Sequence, residues 1–143
     1  MRGVHVNRRV LIFVVAACGS LLTSNPARAQ LIPPAKKAAH VEISQGPELE
    51  SAKDREVIIR WTSNNPGGSD EHFGVVHYGK NTTDLSQTAK SHIRLNQGHA
   101  QTVFRVRVDG LEPHTTYYYK VDSEQANGTS DGITSPVNKF STP

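Results

Sequence analysis

Leu111 to Tyr117 reads LEPHTTY: an apolar residue, a proline two places on, then a tyrosine that opens the triplet Tyr117-Tyr118-Tyr119. The proline fixes φ and removes an N–H, so the chain turns here and does not continue a strand. Beyond the turn the side chains alternate. Tyr117, Tyr119 and Val121 fall on one side and Tyr118 and Lys120 on the other, the period of a strand buried on one face. An apolar plug and a proline just ahead of a strand-opening tyrosine form a tyrosine corner: the ring packs inside while its hydroxyl bonds backbone a few residues upstream. Leu111, Pro113, Tyr117 and Tyr119 are therefore expected in the core.

Working outward, short β-prone runs recur at residues 41–44, 56–62, 73–78, 89–95, 102–109, 115–122 and 136–142, each bounded by Gly, Pro, Asn, Asp or Ser. No stretch from residue 40 onward sustains a 3.6-residue apolar period. Alternation assigns the faces: Val57, Ile59 and Trp61 oppose Arg60 and Thr62, and Phe104, Val106 and Val108 oppose Arg105 and Arg107. These sets, with Val76 and Tyr78, make one core between two sheets. The expected fold is an all-β, seven-stranded immunoglobulin-like sandwich over residues 40–143.

The residues ahead of it carry an address. Arg2, Arg8 and Arg9 precede an apolar run from Val10 to Leu22, and Ala27-Arg28-Ala29 supplies small residues at a peptidase site, so 1–29 reads as a secretory signal cleaved after Ala29. The run is shorter than the about 20 residues that span a bilayer, so no membrane span is expected. Val15-Ala16-Ala17-Cys18 also resembles a lipobox, whose Cys would carry a lipid anchor. Cleavage after Ala29 is favoured because the apolar stretch continues past Cys18. Losing Arg2, Arg8, Arg9 and Arg28 with no acid takes 16 cations against 13 acids to 12 against 13, from +3 to −1. The basic balance thus belongs to the signal, which argues against nucleic acid as a partner. The single cysteine leaves with it, so packing alone must hold the exported domain. Residues 30–39, with Pro33-Pro34 and Lys36-Lys37, read as a linker.

Trp61 on the second run together with the corner at Tyr117 resembles a fibronectin type III domain. Residues 57–62 (VIIRWT), 73–79 (FGVVHYG), Asp84-Leu85-Ser86, 110–121 and the closing Phe140-Ser141-Thr142-Pro143 narrow the resemblance to the N-terminal domain of purple acid phosphatases. In that family the module precedes a metallophosphoesterase domain whose two metals clamp a phosphoryl group and activate water. The family's ligands come as a set of blocks, D-x-H, G-D-x-x-Y, G-N-H-[DE] and G-H-x-H. That set is absent here, and the nearest fragment to the last block is Gly98-His99-Ala100-Gln101. The resemblance implies a fold and an accessory role, with no catalytic residue.

His40, His72, His77, His92, His99 and His114 show no x-His-x-His pairing on a strand face and read as scattered, exposed residues; no metal or cofactor is expected. Asp70-Glu71 reads as turn chemistry, and no nucleophile elbow is expected. Asn81-Thr82-Thr83 and Asn127-Gly128-Thr129 fit the N-glycosylation sequon, which carries no weight in the bacterial setting that the lipobox favours. What remains is surface: His77, Tyr118 and Lys120 point away from the core and form a candidate face for a protein or carbohydrate partner. The expected role is a secreted, non-catalytic binding or spacer module, periplasmic or extracellular. The alternative is the accessory domain of a metal-dependent purple acid phosphatase, a phosphomonoesterase whose catalytic domain lies outside this chain.

Overall fold

A computed structural model of the chain describes residues 31 and 33–143. The expected export signal, Cys18 and the expected cleavage site after Ala29 lie outside the described residues. Eight strands follow: β1 (Ile43–Lys53), β2 (Glu56–Asn64), β3 (Glu71–Gly79), β4 (Gln87–Arg94), β5 (Gln101–Val108), β6 (Thr116–Gln125), β7 (Ser130–Thr134) and β8 (Asn138–Ser141). They form two antiparallel sheets. One has the order β1-β2-β5; the other runs β4-β3-β6-β7, with β8 also pairing β6.

The alternation read from sequence sets the interior. Val57, Ile59, Trp61, Val76, Tyr78, Phe104, Val106, Val108, Leu111, Tyr117, Tyr119, Val121 and Phe140 make one buried cluster. Trp61 and Phe104 stack at 5.1 Å between ring centroids. They lie over Gly74, where an added Cβ would stand 2.9 Å from Phe104 and 3.0 Å from Trp61; only a residue without a side chain lets the indole reach the facing sheet. Toward the other end Tyr117 packs between Tyr78, at 6.1 Å, and Phe140, at 5.5 Å, while Tyr119 meets Phe140 at 5.6 Å.

The corner is built as its residues require. The N–H of Glu112 donates to Tyr117 Oη at 3.0 Å, and Leu111 exchanges bonds with Arg55, N–H to O at 3.0 Å and Nε to O at 2.9 Å. Thr142 Oγ1 donates to the Glu112 carbonyl at 2.6 Å and accepts from the Thr115 N–H at 2.9 Å. Pro113 corrects one expectation. It is exposed, because a residue that directs the turn sits on its outside while Leu111 fills the inside. His114 follows with φ of 49°, a left-handed conformation that lets the chain reverse within two residues.

Strand limits differ from the sequence reading where polarity masks pairing. β1 runs on to Lys53 instead of ending near Ser44, as an edge strand interrupted by register shifts around Pro47. An edge tolerates proline because one side of its backbone has no ladder to maintain. β7 lies outside the expected runs: its sequence, SDGIT, has one large apolar residue and pairs with β6. Between β7 and β8 the Ser135 hydroxyl takes over a ladder position, accepting the Val121 N–H at 2.9 Å and donating to Pro136 O at 2.8 Å. Residues 33–39, read as a linker, have no regular structure and dock on the sandwich: Ala35 is 7% exposed, Ala38 N–H donates to Asn65 O at 2.9 Å, and Lys37 pairs with Asp70 at 2.9 Å.

Asn65, fully buried, holds the β4–β5 loop. Its Nδ2 donates to the His99 carbonyl at 2.7 Å and the Asn96 carbonyl at 3.4 Å, its Oδ1 accepts from Thr102 Oγ1, and Thr102 Oγ1 accepts the Asn96 N–H at 3.0 Å. Every polar atom of the pair is used, the condition under which buried amides stabilise a fold.

Two outcomes test this packing. Tyr117→Phe keeps the ring and strands the Glu112 N–H, and should lower stability by about 1 kcal/mol, a fall in Tm of about 5 °C; an unchanged Tm would mean the corner bond is idle. Burial raises the Tyr78 and Tyr119 hydroxyls above the ordinary phenol value, so the folded state favours neutral rings. Stability should hold below pH about 10 and fall as the pH climbs through the raised values. Denaturant midpoints followed across the alkaline range check this, and a midpoint that rises there contradicts it.

Candidate functional site

The outer face of the five-stranded sheet gathers the residues expected to meet a partner. In the β3–β6 register His77 lies opposite Lys120 and Gly79 opposite Tyr118. The period of two therefore brings His77, Tyr118 and Lys120 to the same exposed side. His77 Nε2 bonds Asp122 Oδ2 at 3.0 Å, and farther along this face His92 pairs with Glu71 and Lys90 with Glu124. Phe73 meets the His92 ring edge-on at 5.3 Å.

At the end nearest β8 a shallow groove of about 450 Å³ is lined by Thr82, Tyr118, Val137, Asn138 and Lys139. Tyr118 stands opposite Lys139 in the ladder, and Val137 is 46% exposed. Among the described residues Lys120 and Lys139 take no ion pair, whereas Lys80 is tied to Glu112 at 2.5 Å and so holds its proton more tightly than an ordinary lysine. An aromatic ring, an aliphatic surface and two uncommitted ammonium groups can bind a partner. They hold no group poised to transfer a proton or to attack.

One buried polar cluster departs from the sequence expectation. His72 was expected at the surface and is fully buried: Nδ1 faces Asp131 Oδ2 at 3.0 Å and Nε2 faces the Ser69 carbonyl at 2.9 Å. Ser123 Oγ donates to the same Asp131 oxygen at 2.7 Å. The signal was available, since His72 lies in phase with Gly74, Val76 and Tyr78 on the inward side of β3. These residue types would suit nucleophilic catalysis, and their order does not. A nucleophilic serine must hand its proton to the histidine, but here the carboxylate stands between them and both ring nitrogens face acceptors. The cluster ties β3 to β6 and β7.

Two short matches to catalytic patterns resolve the same way. Asp70-Glu71-His72 has D-x-H spacing, yet the Asp70 carboxylate bonds the Lys37 ammonium, which holds it below the usual carboxylate range, while His72 is spent on Asp131. Glu71 is a strand residue that pairs with His92 and no turn residue. Gly128 to Gly132 (GTSDG) has the G-x-S-x-G spacing, but it lies in the β6–β7 hairpin instead of a strand-to-helix elbow, and Ser130 Oγ accepts the Gly132 N–H at 3.1 Å. Among the described residues no group of three or more His, Cys, Asp and Glu side chains converges as metal ligands do.

Two of the solved structures similar to this chain illustrate the likeness. The sensor domain of the anti-sigma factor RsgI4 of Pseudobacteroides cellulosolvens has 20% identity and a TM-score of 0.48, over 71% of this chain and 88% of the other. The third fibronectin III domain of the human KIAA0343 protein has 16% identity and a TM-score of 0.35, over 85% and 92%. A search of curated proteins finds no match. The family model of the purple acid phosphatase N-terminal domain matches residues 45–142, from within β1 to the threonine that closes the corner. The chain belongs to the family of the purple acid phosphatase N-terminal domain.

Proposed function

We propose that this fibronectin type III-like domain works as a secreted, non-catalytic binding or spacer module, and that it meets its partner through the outer face of the five-stranded sheet. The observation that carries the reading is the convergence of His77, Tyr118 and Lys120 on one exposed side, continuous with Lys139 and Val137. Aromatic residues enriched among polar neighbours distinguish binding patches from ordinary surface. The geometry of His72, Asp131 and Ser123 supports the non-catalytic part, because the bonds that hold this cluster together occupy the atoms a reaction would need. No helix among the described residues is long and apolar enough to cross a membrane. Export with cleavage after Ala29, or a lipid on Cys18, would set the location at or beyond the cell envelope.

A second reading is favoured by the family match over residues 45–142. In it the domain is the accessory part of a metal-dependent phosphomonoesterase, and the sheet face is where it meets the catalytic domain. Both readings place binding on the same surface and leave the chemistry elsewhere.

The purified chain, incubated with p-nitrophenyl phosphate and added iron, zinc or manganese, should release no more p-nitrophenol than the metal alone. Metal-dependent turnover that follows the protein through purification would overturn the non-catalytic reading. Tyr118→Ala should leave the melting temperature where it was, since changes at a half-exposed ring of this kind fall within about 0.5 kcal/mol. It should also release whatever envelope protein the wild type retains on a column. Retention by the variant removes the sheet face from the account.

A further inference from the structure

The tip of the β6–β7 hairpin reads Ala126-Asn127-Gly128-Thr129, and each of these residues is exposed. Gly128 takes φ of 86°, and a Cβ placed on it would meet nothing within 4 Å, so the peptide that joins Asn127 to Gly128 stands in the open. The Asn127 carboxamide is held in place: its Oδ1 accepts the Thr129 N–H at 3.0 Å. That bond closes a ring of atoms that includes the Gly128 nitrogen. An electrophilic carbon and an unshielded backbone nitrogen therefore share one turn.

The other asparagines among the described residues each lack a requirement. Asn65 is buried and precedes Pro66, whose nitrogen carries no proton. Asn64 spends both atoms of its carboxamide, on the Glu42 N–H at 2.8 Å and the His40 carbonyl at 2.7 Å. Asn81 precedes Thr82, whose branched side chain shields the nitrogen between them. Asn96 precedes Gln97, and Asn138 lies in the β6–β8 ladder ahead of Lys139. Asp109-Gly110 and Asp131-Gly132 share the glycine, but a carboxylate is a poor electrophile, and the Asp131 carboxylate is also held by His72 and Ser123.

We propose that Asn127 is a modification site at which the chain deamidates itself. The Gly128 nitrogen gives its proton to hydroxide and attacks Asn127 Cγ. The new C–N bond closes a succinimide, the Cγ–Nδ2 bond breaks, and Nδ2 leaves as ammonia after taking a proton from water. Water then adds to one of the two imide carbonyls and opens the ring to aspartate or isoaspartate, with no oxidant or reductant. In the first step charge builds on Oδ1, where the Thr129 N–H already donates. The restraint is the Gly128 N–H bond to the Gln125 carbonyl at 2.8 Å, which breaks by local opening at the exposed tip and needs no global unfolding.

The isoaspartate product adds a charge and routes the main chain through the side-chain carbon, one atom longer, inside a turn closed by the Gln125 N–H on the Thr129 carbonyl at 2.8 Å. β7 follows directly, paired with β6 and carrying Asp131, the partner of buried His72. The modified hairpin thus loosens β7 ahead of the rest of the sheet. This chemistry is independent of the binding face proposed above.

The test is to hold the full chain in warm, mildly alkaline buffer, folded and in guanidinium chloride, and to follow its digested peptides by mass. In the folded chain the peptide containing Asn127 should gain the mass difference between an amide and an acid, split into two isomers, one of which co-elutes with the peptide of the Asn127→Asp variant, and release ammonia mole for mole. Asn127→Gln, which would have to close a larger ring, should stay unchanged. In the aged chain the β7 amides should exchange hydrogen faster than in the fresh chain, whereas freshly made Asn127→Asp, with the charge but the normal backbone, should exchange as the wild type does. The site is overturned if Asn127 stays intact in the folded chain over the time in which the unfolded chain converts, if another of the described asparagines reacts first, or if aspartate forms without its isomer. The structural consequence is overturned if β7 exchanges alike in aged and fresh chain.

Discussion

The chain passes from one sheet to the other between β5 and β6, and the bond from the Glu112 N–H to Tyr117 Oη fixes that passage. A two-sheet sandwich with no disulfide has to set the spacing and angle of its layers by packing and by its crossings. This crossing is tied on three sides: to its own tyrosine, to Arg55 in the β1–β2 turn, and to Thr142 and Pro143, whose carbonyl accepts the His114 N–H at 3.0 Å. With the corner set, Tyr117 stands between Tyr78 and Phe140, and the two inner faces meet in register from there up to the Trp61–Phe104 stack above Gly74.

Buried polar groups elsewhere serve position. Asn65 and Thr102 shape the β4–β5 loop, His72, Asp131 and Ser123 bind β7 to the sheet, and Ser135 bridges the break between β7 and β8. In each case the polar side-chain atoms named find partners inside their own cluster, which makes a buried network rigid and holds those atoms in place. A reaction centre needs a lone pair or a proton held in readiness. Thr62 is the exception among the described residues: its buried hydroxyl has no hydrogen-bond partner.

The core was legible because strands declare their faces: Val57-Ile59-Trp61, Phe104-Val106-Val108 and Tyr117-Tyr119-Val121 alternate without interruption, and all are buried. The outward placement of His77, Tyr118 and Lys120 follows from the same phase. What escaped depends on partners distant in sequence. β7 is a strand because β6 offers it a ladder, and SDGIT holds too few apolar residues to say so alone. His72 is buried because Asp131, far along the chain, satisfies it. Residues 33–39 look like a linker by composition and dock because Asn65 O and Asp70 wait for Ala38 and Lys37. Pro113 marked the corner correctly, while its own exposure follows from being the residue that bends the chain outward.

The loops are tied down by the same kind of bonds as the strands, so the surfaces they present exist before any partner arrives. Native-state hydrogen exchange of the full chain tests this directly, because the amides of Ala38, Asn65 and Asn96 bond across the end of the sandwich to Asn65 O, Ala100 O and Thr102 Oγ1. If the loops belong to the cooperative unit, these amides exchange only through global unfolding, with the same free energy as those of β2 and β5. Exchange by local opening at near-zero free energy, while the strands stay protected, would show a sandwich with loose ends and contradict the account.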